Sequence, residues 1–194
     1  MLLAFGTGLR MSELFGLKWH DIDFQGNEIS VTRSIVFQVV GPCKTEASQK
    51  PVPLDARLAE ALKVWRHQTK YGEVDDWVFA SPAARGERPY WGQCLMRTII
   101  RPAAAKIGIK QHIGWHTFRH TYSSLLRANK TDIKVTQELL RHASSRVTLD
   151  TYTQASQFRS GEHRAASFAF WRRRRHPLVE IRLPRCVPRL CLLE

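Results

Sequence analysis

The chain has no long hydrophobic run, no CxxC pair and a shortage of acids, with 17 Asp and Glu against 30 Lys and Arg in 194 residues. A membrane span needs about 18 or more consecutive apolar residues, so the sequence predicts no membrane association. Four irregularly spaced cysteines, Cys43, Cys94, Cys186 and Cys191, do not form a zinc ribbon. They point to reduced thiols rather than a disulfide framework. Met1 to Arg10 lacks a basic leader segment and reaches glycine at Gly6, which argues against a secretory signal and for a cytoplasmic protein.

What the chain does have is positive charge, with a formal net of +13 and a pI near 10.2. Lysine and arginine facing phosphates release condensed counterions, so a nucleic-acid partner is the first expectation. The excess is uneven: residues 159–194 hold nine arginines and three glutamates, which is +6 of the total. Arg172 to Arg175 are consecutive, and Pro177, Pro184 and Pro188 break any helical period, so 166–194 reads as a poorly ordered Arg/Pro-rich tail.

Hydrophobic content of 43% is ample for one folded domain. Leu2, Leu3 and Phe5, then Gly6-Thr7-Gly8, then Leu9, Leu14 and Leu17 predict a helix end, a glycine turn and a short second helix. An apolar helix that opens at Met1 without a capping residue predicts that the stripe continues upstream in a longer parent. Glu28 to Val40 is rich in β-branched residues, with turns expected at Gln25-Gly26-Asn27 and Gly41-Pro42-Cys43. With Pro51 to Leu54, these form a small antiparallel sheet. Asp55 caps a helix running to about Tyr71, and Tyr90 to Lys106 reads as a helix broken or kinked at Pro102. Helical patterns follow at about 116–128, 132–141 and 145–153. The whole is α+β, mainly helical, with a small antiparallel three-stranded sheet.

The polar residues that converge are few. Arg10 stands just past the glycine turn; His116 and Arg119 are three apart on one helix; His142 closes the next; Tyr152 follows ten residues later. Taken singly, each has an ordinary explanation: a surface charge, a helix face, a partner for a helix C-terminus, a half-buried aromatic.

Taken together, Thr7-Gly8-Leu9-Arg10-Met11-Ser12-Glu13-Leu14, His116-Thr117-Phe118-Arg119-His120-Thr121-Tyr122 and Leu139-Leu140-Arg141-His142-Ala143-Ser144-Ser145, followed by Leu149-Asp150-Thr151-Tyr152, resemble the catalytic domain of the tyrosine recombinases, or phage integrases. The resemblance covers residues 1–165. It implies cleavage and rejoining of DNA strands through a 3′-phosphotyrosyl intermediate, with no metal or nucleotide cofactor. Matched motif by motif, Arg10 and Arg119 are the phosphate-binding arginines, His116 the proton acceptor, His142 the second histidine and Tyr152 the nucleophile. Lys44 matches the β-hairpin lysine that protonates the leaving oxygen, with Lys50 as its rival.

The resemblance also implies double-stranded DNA as partner, a homotetramer on synapsed sites, and a bacterial or phage-derived protein associated with the nucleoid. It further implies that an upstream DNA-clamp domain is missing here, and Arg141 replaces the glycine the family often has before the histidine. An inactive DNA-binding fragment is therefore the alternative. Two other readings are weaker. His112, His116 and His120 recur every four residues, but a zincin needs Glu after the first His, where Ile113 stands. A simple helix-turn-helix over 116–141 leaves Arg10 and Tyr152 unexplained. Glu13 is expected to anchor a helix terminus or pair with a buried base, and Leu17, Trp19, Ile22, Phe24 and Trp115 to pack in the core.

Overall fold

A computed structural model describes residues 1–43 and 49–142. Two short helices lead, α1 (Leu2–Thr7) and α2 (Met11–Leu14), followed by a single 3₁₀ turn at Trp19–Asp21. Gly8 ends α1 in the left-handed region at φ 63°, and its N–H bonds the Ala4 carbonyl. Only glycine takes that backbone without steric cost, and here it turns the chain sharply into α2.

The strands are β1 (Ile22–Asp23), β2 (Glu28–Ile29), β3 (Arg33–Val36), β4 (Val39–Pro42) and β5 (Val52–Pro53). The three-stranded antiparallel sheet is present in the order β1-β2-β5, pairing Ile22 with Ile29 and Ile29 with Val52. β3 and β4 form a separate hairpin, in register from Arg33–Pro42 to Val36–Val39. Its turn corrects the sequence reading. The chain reverses at Phe37-Gln38, with φ of 49° and 62°, and Gly41 and Pro42 lie within β4. Two positive φ values are what a tight two-residue hairpin requires, but Phe-Gln carries none of the usual Asn-Gly signal. Lys44 lies outside the described residues.

α3 (Ala56–Gln68) starts as expected, with the Asp55 carboxylate accepting from the Arg57 N–H at 2.9 Å. It stops at Gln68, three residues short of the sequence expectation. α4 (Gly92–Leu95), a π-helical stretch at Met96–Ile100, and α5 (Arg101–Lys106) form one continuous helical segment. Pro102 neither breaks nor ends it. The ring clashes with the carbonyl four residues back and has no N–H to give it. The preceding turn widens instead, so that the Arg101 N–H reaches the Met96 carbonyl.

α6 (Trp115–Ala128) and α7 (Ile133–Leu140) follow, the latter capped by Asp132 onto the Lys134 N–H at 2.7 Å. The expected helix at 145–153, the 165/166 domain boundary and the tail lie outside the described residues. Among the described residues no helix is long and apolar enough to cross a membrane.

One core joins these pieces. Leu17, Trp19, Ile29, Val31, Val78 and Met96 are essentially excluded from solvent, Ile22 is buried, and Phe24 packs at the margin. Trp19 keeps its indole N–H satisfied by the Tyr71 carbonyl at 2.8 Å. Trp115 packs edge-on against Phe15, with ring centroids 5.1 Å apart, and donates to the Gly92 carbonyl at 2.9 Å. Trp115 thus joins the start of α6 to α4 in the core. Cys43 is a buried free thiol.

Candidate active site

The site forms where three chain ends meet: the glycine turn before α2, the first turns of α6 and the C-terminus of α7. Arg119 is the residue that joins them. It projects from α6 and is 8% exposed, donating from Nη1 to the Gly8 carbonyl at 2.5 Å and from Nη2 to the Leu140 carbonyl. The helix terminus of α7 leaves such carbonyls without intrahelical partners, so the guanidinium closes one of them. Burial, with Arg10 and Arg141 nearby, lowers its pKa to about 10, and it stays charged at neutral pH.

Arg10 is the N-cap of α2, in extended backbone at φ −69° and ψ 152°. Its own N–H donates to Glu13 Oε2, and its Nη1 to Glu13 Oε1, both at 2.9 Å. A glutamate at the third helical position reaching back to the cap N–H is the sequence logic of a capping box. Glu13 therefore fulfils both expectations made for it, because its buried Oε2 also accepts from Arg141 Nη2. Cys43 lies beside this cluster, with Sγ 3.5 Å from the Val31 carbonyl. Burial and then the Glu13 charge push its thiol pKa up.

His142 sits just past α7, held by its N–H on the Gln137 carbonyl at 3.0 Å and by its own carbonyl accepting from the Gln137 side chain at 3.3 Å. Burial drives its pKa down to about 4, and the charges of Arg119, Arg10 and His120 push the same way. It is therefore a neutral imidazole at physiological pH, able to donate through one ring N–H. A cleft of about 140 Å³ opens in front of it, lined by Lys50, Lys134, Gln137, Glu138, Arg141 and His142.

Of the residues singled out in the sequence, Arg10, Arg119 and His142 come together here. His116 is exposed on the first turn of α6, in electrostatic contact with His120 one turn on. His112 precedes the N-cap Gly114, so the four-residue histidine spacing does not continue along the helix. Lys44 and Tyr152 lie outside the described residues. Lys50 borders the cleft beside His142. Two participants carried no local sign of their role. Arg141, visible only as a departure from the family glycine, is buried in the cluster, and His120 is held with a lowered pKa by burial, His116 and Arg119.

This arrangement can bind a tetrahedral anion. Arg10, Arg119 and Arg141 surround one carboxylate, leaving local positive charge in a partly desolvated pocket, where charge-assisted bonds are strong.

Comparison with known proteins agrees with the geometry. The phage integrase family model matches residues 1–159. The chain is 34% identical over 153 residues to tyrosine recombinase XerC of Thermodesulfovibrio yellowstonii, covering 75% of this chain and 46% of that protein. It is 30% identical over 171 residues to a XerC-like tyrosine recombinase of Caldanaerobacter subterraneus, covering 78% of this chain and 44% of the relative. The chain thus spans less than half the length of these relatives. The fold matches that of the Tn1549 transposon integrase in complex with transposon right-end DNA, with a TM-score of 0.65 over 81% of this chain and 56% of that one, at 21% identity. By its sequence over residues 1–159, and in keeping with its fold, the chain belongs to the phage integrase family of tyrosine recombinases.

Proposed function

We propose that this chain is the catalytic part of a site-specific DNA recombinase that cuts and rejoins strands through a 3′-phosphotyrosyl intermediate. The observation that carries the reading is that Arg10, Arg119 and His142, from three distant segments, are close enough for both guanidiniums to act on the His142 imidazole, with Arg119 bonded to the carbonyls of Gly8 and Leu140. A structural ion pair would need no such convergence. The guanidinium of Arg119 has five N–H donors, and two bonds to carbonyls leave others for phosphate oxygens.

In this reaction the phenol oxygen of Tyr152 attacks the scissile phosphorus, and the bond to the 5′-oxygen breaks. The new P–O(Tyr) bond conserves the phosphodiester energy, so a 5′-hydroxyl can later reverse the step without ATP. A free tyrosine titrates near 10, so its proton must leave during attack, and exposed His116 is the base that takes it. Arg10, Arg119 and His142 stabilise the charge on the non-bridging oxygens. Lys44, or Lys50 at the cleft, gives the 5′-oxygen its proton. Each positioned acid or base contributes roughly 10²- to 10⁴-fold.

The substrate in this reading is double-stranded DNA, a choice supported by the fold relative's complex with transposon right-end DNA. The working unit in this reading is a homotetramer on synapsed sites at the nucleoid. The +13 charge suits that partner. The test is a nicked duplex carrying candidate sites from the flanks of the gene, incubated with the protein in EDTA. An SDS-resistant protein–DNA adduct is the expected product. DNA binding without any adduct would leave the inactive binding fragment as the function.

A further inference from the structure

Arg141 occupies a backbone conformation that does not suit it. It closes α7 in the left-handed region, at φ 52° and ψ 46°, where glycine stands at least cost. Its side chain is nevertheless drawn inward, and the residue is 3% exposed. Burial lowers its pKa, and the Glu13 carboxylate is what holds the charge there. The side chain thus accounts for the residue, since the backbone alone disfavours it.

Glu13 shows what that side chain does. One carboxylate serves two guanidiniums and a backbone N–H: Oε1 takes Arg10 Nη1, and Oε2 takes the Arg10 N–H and Arg141 Nη2. The ion pair spans 128 positions of sequence and ties the last turn of α7 to the first turn of α2. Directly before it, Leu140 gives its carbonyl to Arg119, and directly after it comes His142. Arg141 shares the negative charge of Glu13 with Arg10 and Arg119, all three guanidiniums lying within its field.

We propose that Arg141 is a positioning residue: its buried ion pair with Glu13 clamps α7 to α2 and thereby sets His142 and Arg10 around one phosphate. The proposal rests on the recombinase reading for its catalytic consequence, but the clamp itself has a consequence independent of catalysis. His142 is neutral because the closed α7 terminus shields it among Arg119, Arg10 and His120, with Lys50, Lys134, Glu138 and Arg141 around the adjoining cleft.

The test uses the full chain with Arg141→Gly, Arg141→Lys, Glu13→Gln and the double variant Glu13→Gln/Arg141→Gly. In Arg141→Gly the Glu13 carboxylate keeps Arg10 but loses its second guanidinium, and the double variant removes that excess buried charge, giving a second background in which the clamp is absent. Two quantities are read: the single-turnover rate of adduct formation on saturating nicked duplex, scaled to the folded fraction, and the pKa of the His142 imidazole by NMR titration. The clamp predicts a rate at least tenfold lower in Arg141→Gly with DNA affinity changed less than threefold, partial recovery in Arg141→Lys, and a double variant no slower than Arg141→Gly. It also predicts that the His142 pKa rises by at least one unit in both glycine variants. An unchanged His142 pKa in the folded double variant, or a wild-type rate in Arg141→Gly, overturns the proposal. A wild-type chain that forms no adduct while its His142 responds as expected overturns the recombinase reading and upholds the clamp.

Discussion

The Arg119 guanidinium donates to the Gly8 carbonyl at 2.5 Å across 111 positions of sequence. The bond places a cation from the middle of the chain against the turn that launches α2, and the second bond, to Leu140, draws in the end of α7. The residue that would hold the phosphate therefore also holds the site together.

Replacing Arg119 by Ala should consequently cost stability as well as activity. Two buried carbonyls lose their donor, at about 1–3 kcal/mol each. Urea unfolding is expected to show a loss of about 2–6 kcal/mol, with Arg119→Lys intermediate. An unchanged midpoint would mean that the two carbonyls are satisfied by other partners.

Gly8→Ala is predicted to be more damaging than its single methyl suggests. A Cβ there would stand 2.7 Å from the Tyr122 ring and 3.2 Å from Leu140 Cδ2, on a backbone at φ +63°. The left-handed strain alone costs about 1–2 kcal/mol, and forcing the ring aside adds to it. A thermal midpoint at least 5 °C below that of the parent is expected for the domain.

The hairpin turn offers the opposite sign. Phe37 is 84% exposed, and both turn residues hold positive φ. Asn-Gly at positions 37 and 38 should raise stability by roughly 0.5–1 kcal/mol, because those residues accept this turn without strain. A fall in the urea midpoint would mean that Phe37 makes contacts that outweigh the strain.

Stability should depend on pH through His142. Its folded pKa, about 4, lies below the ordinary 6.5, so the unfolded chain binds more protons between those values. The contribution is full above pH 6.5 and is lost as the pH falls towards 4; His120, also lowered, acts in the same direction. Each tenfold difference in proton affinity is worth about 1.4 kcal/mol. Urea midpoints from pH 7 to 4.5 should fall less steeply in His142→Gln than in the parent.

Much of this architecture was legible in the sequence because it rests on local signals. Asp55 announces its helix, Gly8 its turn, and Glu13 its cap three residues after Arg10. The hairpin turn was misread because Phe37-Gln38 has no turn chemistry, while Gly41-Pro42 does but is held within β4 by pairing with β3. Pro102 reads as a break or kink because sequence does not show that the turn before it can widen. The clamp role of Arg141 was invisible for a different reason. Its partner is 128 residues away, and a buried ion pair leaves no periodic trace. Arg10, Arg119 and His142 stand out in the sequence through their joint motifs, and their proximity shows only in the fold.

The most direct measurement compares the parent chain with Tyr152→Phe on the nicked duplex in EDTA, followed by peptide mapping of any adduct. The account predicts a covalent product in the parent, with DNA attached to the peptide containing Tyr152, and none in the variant, whose DNA affinity is unchanged. An adduct that persists in Tyr152→Phe, or that maps to another residue, would contradict it.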